Sequence, residues 1–133
     1  MKGNQVSWYK SKEKDYSYKT FRAYLDVVFA YAGTLSLAKE LTSVPETSMQ
    51  IGDVLIQGGS PGHAVIVVDM AEHPVTGEKL YLLAQSYMPA QDIQVLVNPK
   101  ERDKSPWYTL KGEGNILTPE WGFTSADLKR FKD

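Results

Sequence analysis

The chain has 133 residues, 42% of them apolar, which suits one domain with a real core and excludes a disordered segment. Fifteen basic and 16 acidic residues leave a formal net charge of −1, so no basic face invites nucleic acid. Cysteine is absent, which excludes a disulfide framework, a thiolate metal site and a thiol nucleophile.

No apolar run reaches the length of a membrane helix, and the opening MKGNQVSWYKSKEK has no apolar signal core. Residues 1–15 read as a loose polar arm or as a short edge strand around Val6-Ser7-Trp8-Tyr9. A helix follows, because Phe21, Leu25, Val28, Phe29 and Ala32 fall on one face of a 3.6-residue period. Asp15 or Ser17 can cap it. Gly33 breaks the pattern, and Thr34 or Ser36 caps a second helical turn over Leu35–Leu41, which stops before Pro45.

Strands are expected over Asp53–Gln57 and His63–Met70, joined by Gly58-Gly59-Ser60-Pro61-Gly62. The run Ala64–Val68 is nearly all β-branched, as a buried strand requires. The segment Glu72–Lys79 reads as a hairpin loop, and Leu80–Tyr87 as the returning strand. Met88-Pro89-Ala90 ends that strand. Ile93, Val95 and Val97 alternate with Gln94 and Leu96, which predicts a further strand. Asn98–Ser105 is loop-like, Trp107-Tyr108 starts a short strand, and Lys111–Pro119 is turn-rich. Thr124 or Ser125 caps a terminal helix from Ala126 to Phe131. Helical segments followed by an antiparallel meander give the α+β class.

The chemistry centres on His63, at the junction of a glycine loop and a strand, where a ring is held firmly yet can face a cleft. A hairpin pivoting near Pro74 sets His63 opposite Gln85, the polar residue on the Tyr81-Leu83-Gln85-Tyr87 face. A turn centred on Thr76-Gly77 would instead set His63 near Ala90. A glutamine carbonyl can orient an imidazole as the third member of a triad does. Thr34 and Ser36, at a helix start, are the candidate nucleophiles, although such residues are commonly plain caps. Gly59, Ser60, Ser86 and Tyr87 are the candidate ligand contacts. His63 could equally be a buried ring bonded to a carbonyl. His63 and His73 alone make no metal set, and no cofactor is expected. Asp53 should accept turn N–H groups. The glycine loop joins two strands, so it lacks a phosphate-loop context and reads as a tight, conformationally unusual connection. Trp107, Tyr108 and Trp121 either line a groove or pack the domain.

The order of parts resembles the NlpC-type cell-wall peptidases, on the strength of Gly52-Asp53-Val54-Leu55 and His63-Ala64-Val65-Ile66-Val67. That resemblance implies one papain-like α+β domain over residues 1–133, with helices packed on an antiparallel sheet or partial barrel. It implies His63 as base, Gln85 as its orienter, and Thr34 or Ser36 where the family carries cysteine. The strings YAGTLSLAKEL, GDVLIQGGSPGHAVIVVDMA and LLAQSYMPAQDI resemble a bacterial family, domain of unknown function 4846. It implies an exported, cell-envelope protein with a longer N-terminus. The expected activity is hydrolysis of peptide or amide bonds in peptidoglycan by a monomer. The rival expectation is an inactive papain-like module that binds a wall fragment, glycan or protein partner. A hydroxyl within reach of His63 favours the enzyme, and apolar groups around the imidazole favour the binder.

Overall fold

The computed structural model describes residues 15–87 and 91–132. The predicted edge strand at Val6–Tyr9 and the break at Met88–Ala90 lie outside them. The chain divides into two compact units, residues 1–32 and 33–133.

In the first unit, helix α1 covers Tyr18–Tyr31. Ser17 is its N-cap and accepts from Thr20 N. Asp15 accepts from Ser17 N (2.9 Å) and from the Thr20 hydroxyl (2.6 Å). The Thr20 bond first, and then the Ser17 amide, hold the Asp15 carboxyl below its ordinary range. Both predicted caps therefore act together. No residue of α1 is buried.

The second unit opens with α2 (Thr34–Glu40), whose N-cap is Gly33 rather than Thr34 or Ser36. Then come β1 (Thr42–Ser43), a single 3₁₀ turn (Glu46–Ser48), β2 (Val54–Gln57), β3 (His63–Glu72), β4 (Lys79–Gln85) and β5 (Gln94–Val95). Next are β6 (Tyr108–Thr109), β7 (Asn115–Leu117), β8 (Gly122–Thr124), a 3₁₀ turn (Ser125–Asp127) and β9 (Leu128–Arg130). Seven strands form one antiparallel sheet in the order β1-β9-β2-β3-β4-β5, with β6 also on β4. Among the described residues it is open between β1 and β5, not a closed barrel. β7 and β8 pair separately as a hairpin.

Three expectations are corrected. The terminal helix is a 3₁₀ turn followed by β9, which slots between β1 and β2. Its predicted cap is real: Thr124 and Asp127 form a capping box. The turn-rich Lys111–Pro119 contains β7. In the fourth-strand segment the inward residue is Leu96 (3% exposed), while Ile93, Val95 and Val97 face out.

The two faces of the sheet are covered differently. On one face Leu55, Val65, Val67, Leu83 and Leu128 pack with Ile116 and Phe123 of the β7–β8 hairpin. On the other, Val54, Ile56 and Ala64 pack with Leu37, Ala38 and Leu41 of the α2 segment. Alternation along β2 and β3 sends neighbouring side chains to opposite faces. Lys129 of β9 also donates to the Ala38 carbonyl of α2. Asp53, before β2, is fixed from two sides. It accepts from Gln50 N (2.8 Å), as its turn position predicts, and from Arg130 through Nε (2.6 Å) and Nη2 (2.8 Å).

Candidate functional site

His63 opens β3 and faces the hairpin-covered side, as Val65 and Val67 do. The β3–β4 register pairs Glu72 with Lys79 at the turn, so the pivot lies between Val75 and Thr76, not at Pro74. A bulge at Val68 then shifts the pairing to Val67–Leu83 and Ile66–Ala84. Continued, that register sets Val65 across from Gln85 and His63 across from Tyr87. His63 and Gln85 still share a face as diagonal neighbours, and His63 Nε2 bonds Gln85 Oε1 at 2.6 Å.

A third group completes this row. Gln85 Nε2 donates to Glu120 Oε2 at 2.8 Å. A carboxylate only accepts, so Glu120 turns the amide nitrogen of Gln85 toward itself and the amide oxygen toward His63. In its neutral form the imidazole then carries its proton on Nε2, leaving Nδ1 as the ring acceptor. The order is thus carboxylate, amide, imidazole.

Aromatic rings enclose the rest of the imidazole. Tyr87 meets it edge-on at 5.1 Å, Trp121 lies tilted at 5.5 Å, and Phe123 stacks at 6.0 Å between centroids. Trp121 is held by Gln57, whose Oε1 accepts from the indole Nε1 at 2.8 Å. Gln57 Nε2 in turn donates to Asp127 Oδ2 (2.9 Å). Thr118 closes the β7–β8 turn by accepting from Trp121 N and donating to Trp121 O, which presents Glu120 and Trp121 together. His63 is 8% and Gln85 3% exposed, whereas Glu120 is exposed and Tyr87 and Trp121 are half-buried. The polar row therefore runs from the interior out to the surface.

Thr34 and Ser36 are not part of this group. A Cβ on Gly62 would lie 2.3 Å from Thr34 Oγ1, so Thr34 sits on the side of the chain toward which Gly62 points. Ala64 points the same way, into the α2 cluster. His63, between them, turns to the opposite face. Among the described residues no hydrogen bond joins Thr34 to His63, and the Ser36 hydroxyl donates back to Gly33 O at 2.8 Å. The expected nucleophile–base pair is not assembled, because α2 and the imidazole occupy opposite faces of β3.

The glycine loop is tight and conformationally unusual, as expected: its Ser60–Pro61 peptide bond is cis. Gly58 and Gly62 let the loop approach α2, since added Cβ atoms would meet Thr34 O at 3.0 Å and Thr34 Oγ1 at 2.3 Å respectively. Among the described residues the left-handed glycines are Gly52, Gly77, Gly112 and Gly114, none of them in this loop. Gly59 and Ser60 make up part of its exposed tip, and Ser86 faces solvent beside Gln85. Of the expected contacts, Tyr87 meets the imidazole edge-on. His73 stands at the other end of β3, where its Nδ1 accepts from Val75 N and Thr76 N of the hairpin turn.

Sequence reading missed Glu120 and Gln57 and gave Trp121 no specific place. Gln57 could have been found as Gln85 was, since it shares the inward parity of Leu55. Glu120 carried only a weak signal, an acid beside tryptophan in the turn string Thr118-Pro119-Glu120-Trp121-Gly122. No helix among the described residues is long and apolar enough to cross a membrane.

The family model described as domain of unknown function 4846 matches residues 1–130, and the chain belongs to that family. No curated protein and no solved structure matches it at a significant level.

Proposed function

For this member of the domain of unknown function 4846 family, we propose a binding role at the bacterial cell envelope without hydrolysis. The ligand is a peptide or sugar–peptide fragment of the wall, held against Glu120, Trp121 and Tyr87. The observation that carries this reading is the aromatic enclosure of His63. Tyr87, Trp121 and Phe123 surround the imidazole, while Thr34 lies on the other face of β3 and the Ser36 hydroxyl bonds Gly33 O. Half-buried Trp121 and Tyr87 offer ring faces for the apolar side of a sugar or peptide. Exposed Glu120 offers an acceptor to a ligand N–H or O–H. His63 and Gln85 act beneath them as a rigid polar support, in keeping with a preformed site.

The test is titration of the full chain with a soluble disaccharide-peptide from peptidoglycan, followed by tryptophan fluorescence and calorimetry. Saturable binding is expected, weakened roughly tenfold or more by Trp121→Ala, as for a ring at the centre of a contact. No amide cleavage should accompany it. His63-dependent release of free amines from the fragment would replace this reading with a hydrolase, and no saturable binding would remove it.

A further inference from the structure

A second site lies away from His63, in a small open cleft of about 40 Å³ lined by Glu46, Tyr81, Asn98, Glu101, Tyr108 and Lys111, among others. Glu46 is only 3% exposed. Its Oε1 accepts from Lys111 N at 3.3 Å. Its Oε2 is buried and has no hydrogen-bond partner among the described residues. Burying a carboxylate oxygen unpaired is costly, so this atom is the part of the cleft that lacks its complement. Two further carboxylates line the wall: Glu113 is exposed to water, and Glu101 is already satisfied. Glu101 takes Lys111 Nζ at 3.2 Å and the Thr109 hydroxyl at 2.9 Å.

We propose that this cleft binds a small primary ammonium group, with Glu46 Oε2 as its charged acceptor. Three features select that chemistry. A guanidinium would claim both carboxylate oxygens, yet Oε1 already serves the Lys111 amide, whereas an ammonium needs one. A divalent ion needs several oxygen ligands, and no group of three acids or histidines among the described residues could hold one. The stacked rings of Tyr81 and Tyr108, 5.6 Å apart, provide an aromatic wall that favours a cation. Glu46 and Glu101 both act on Tyr81: after burial itself, their charge helps hold its phenol above the ordinary range.

The experiment follows amide shifts of the ¹⁵N-labelled full chain during titration with ethylammonium chloride. Tetramethylammonium chloride, a cation without N–H donors, and sodium acetate run in parallel. The Lys111 amide should shift saturably with ethylammonium alone. Glu46→Gln keeps an acceptor for Lys111 N and should weaken ethylammonium binding roughly tenfold or more, the worth of a charge-assisted bond. Should that variant fail to fold, Asn115→Lys serves instead, since this exposed lining position brings a competing ammonium to the cleft. Equal shifts with tetramethylammonium, no saturation, or undiminished affinity in the folded variant would each overturn the assignment. The site shares no residue with the His63 group, so either can fail alone.

Discussion

Replacing Arg130 with methionine should be among the most damaging changes outside the apolar core. Methionine keeps an apolar stem but removes the guanidinium, which grips Asp53 at 2.6 and 2.8 Å and donates to Ser48 O at 2.8 Å. The Asp53 side chain is 1% exposed and would keep a single donor, Gln50 N. Breaking a buried ion pair from one side costs roughly 3–5 kcal/mol. Arg130 is itself 32% exposed, so water replaces part of the loss, and roughly 2–3 kcal/mol is expected. For a folded unit of this size, that lowers Tm by roughly 10–20 °C. Urea unfolding monitored by tryptophan fluorescence measures it directly. Combining Asp53→Asn with Arg130→Met should cost less than the sum of the two, because the second change removes the stranded charge. A loss below about 0.5 kcal/mol would show the pair behaving as an exposed one and refute the reasoning.

Four further outcomes follow from other contacts. Gln85→Leu should abolish the fixed tautomer of His63, which imidazole ¹⁵N shifts of the neutral ring would reveal as a mixture replacing the Nε2–H form. Gly62→Ala should cost roughly 1–3 kcal/mol or more, because its Cβ would press on Gly59 N and Gln57 O, backbone atoms that cannot swing aside. Gly33→Ser should instead gain a few tenths of a kcal/mol by supplying the side-chain cap that α2 lacks, and thermal melts of the two variants separate the cases. Burial holds the phenols of Tyr81 and Tyr108 above their ordinary value of 10.0, with Glu46 adding at the first and Glu120 at the second. The folded values exceed the unfolded ones, so this stability is complete below about pH 10 and is lost as pH rises through the folded values. The alkaline limb of stability should flatten in a Tyr81→Phe/Tyr108→Phe chain.

The strands around the glycine loop were legible because period-two alternation and β-branched residues agreed there with their final burial. The His63–Gln85 partnership was legible for a sturdier reason than the assumed pivot. The bulge at Val68 removes one residue from the pairing, which restores the shared face although the turn sits further along than Pro74. Leu128 misled because Ala126–Phe131 also fits a helical turn. The gap between β1 and β2 decides its conformation, and no local pattern records that gap. Leu96 misled for a related reason. Its amide bonds Leu83 O, and this edge pairing sends Leu96 inward while the β-branched neighbours face out. Thr34 was chosen for its place at a helix start, but only the packing of Ala38 and Ala64 reveals which side of β3 that helix covers.

The strand that comes last in chain order lies inside the sheet rather than at its rim. During vectorial synthesis, β2 and β3 can pair soon after they emerge, yet β2 keeps a bare flank until Leu128–Arg130 arrive some seventy residues later. Over that interval the nascent chain displays a free strand edge, the kind of surface that recruits other strands. A ribosome-bound intermediate halted before Leu128 should therefore need a chaperone to stay dispersed, whereas the released chain should not.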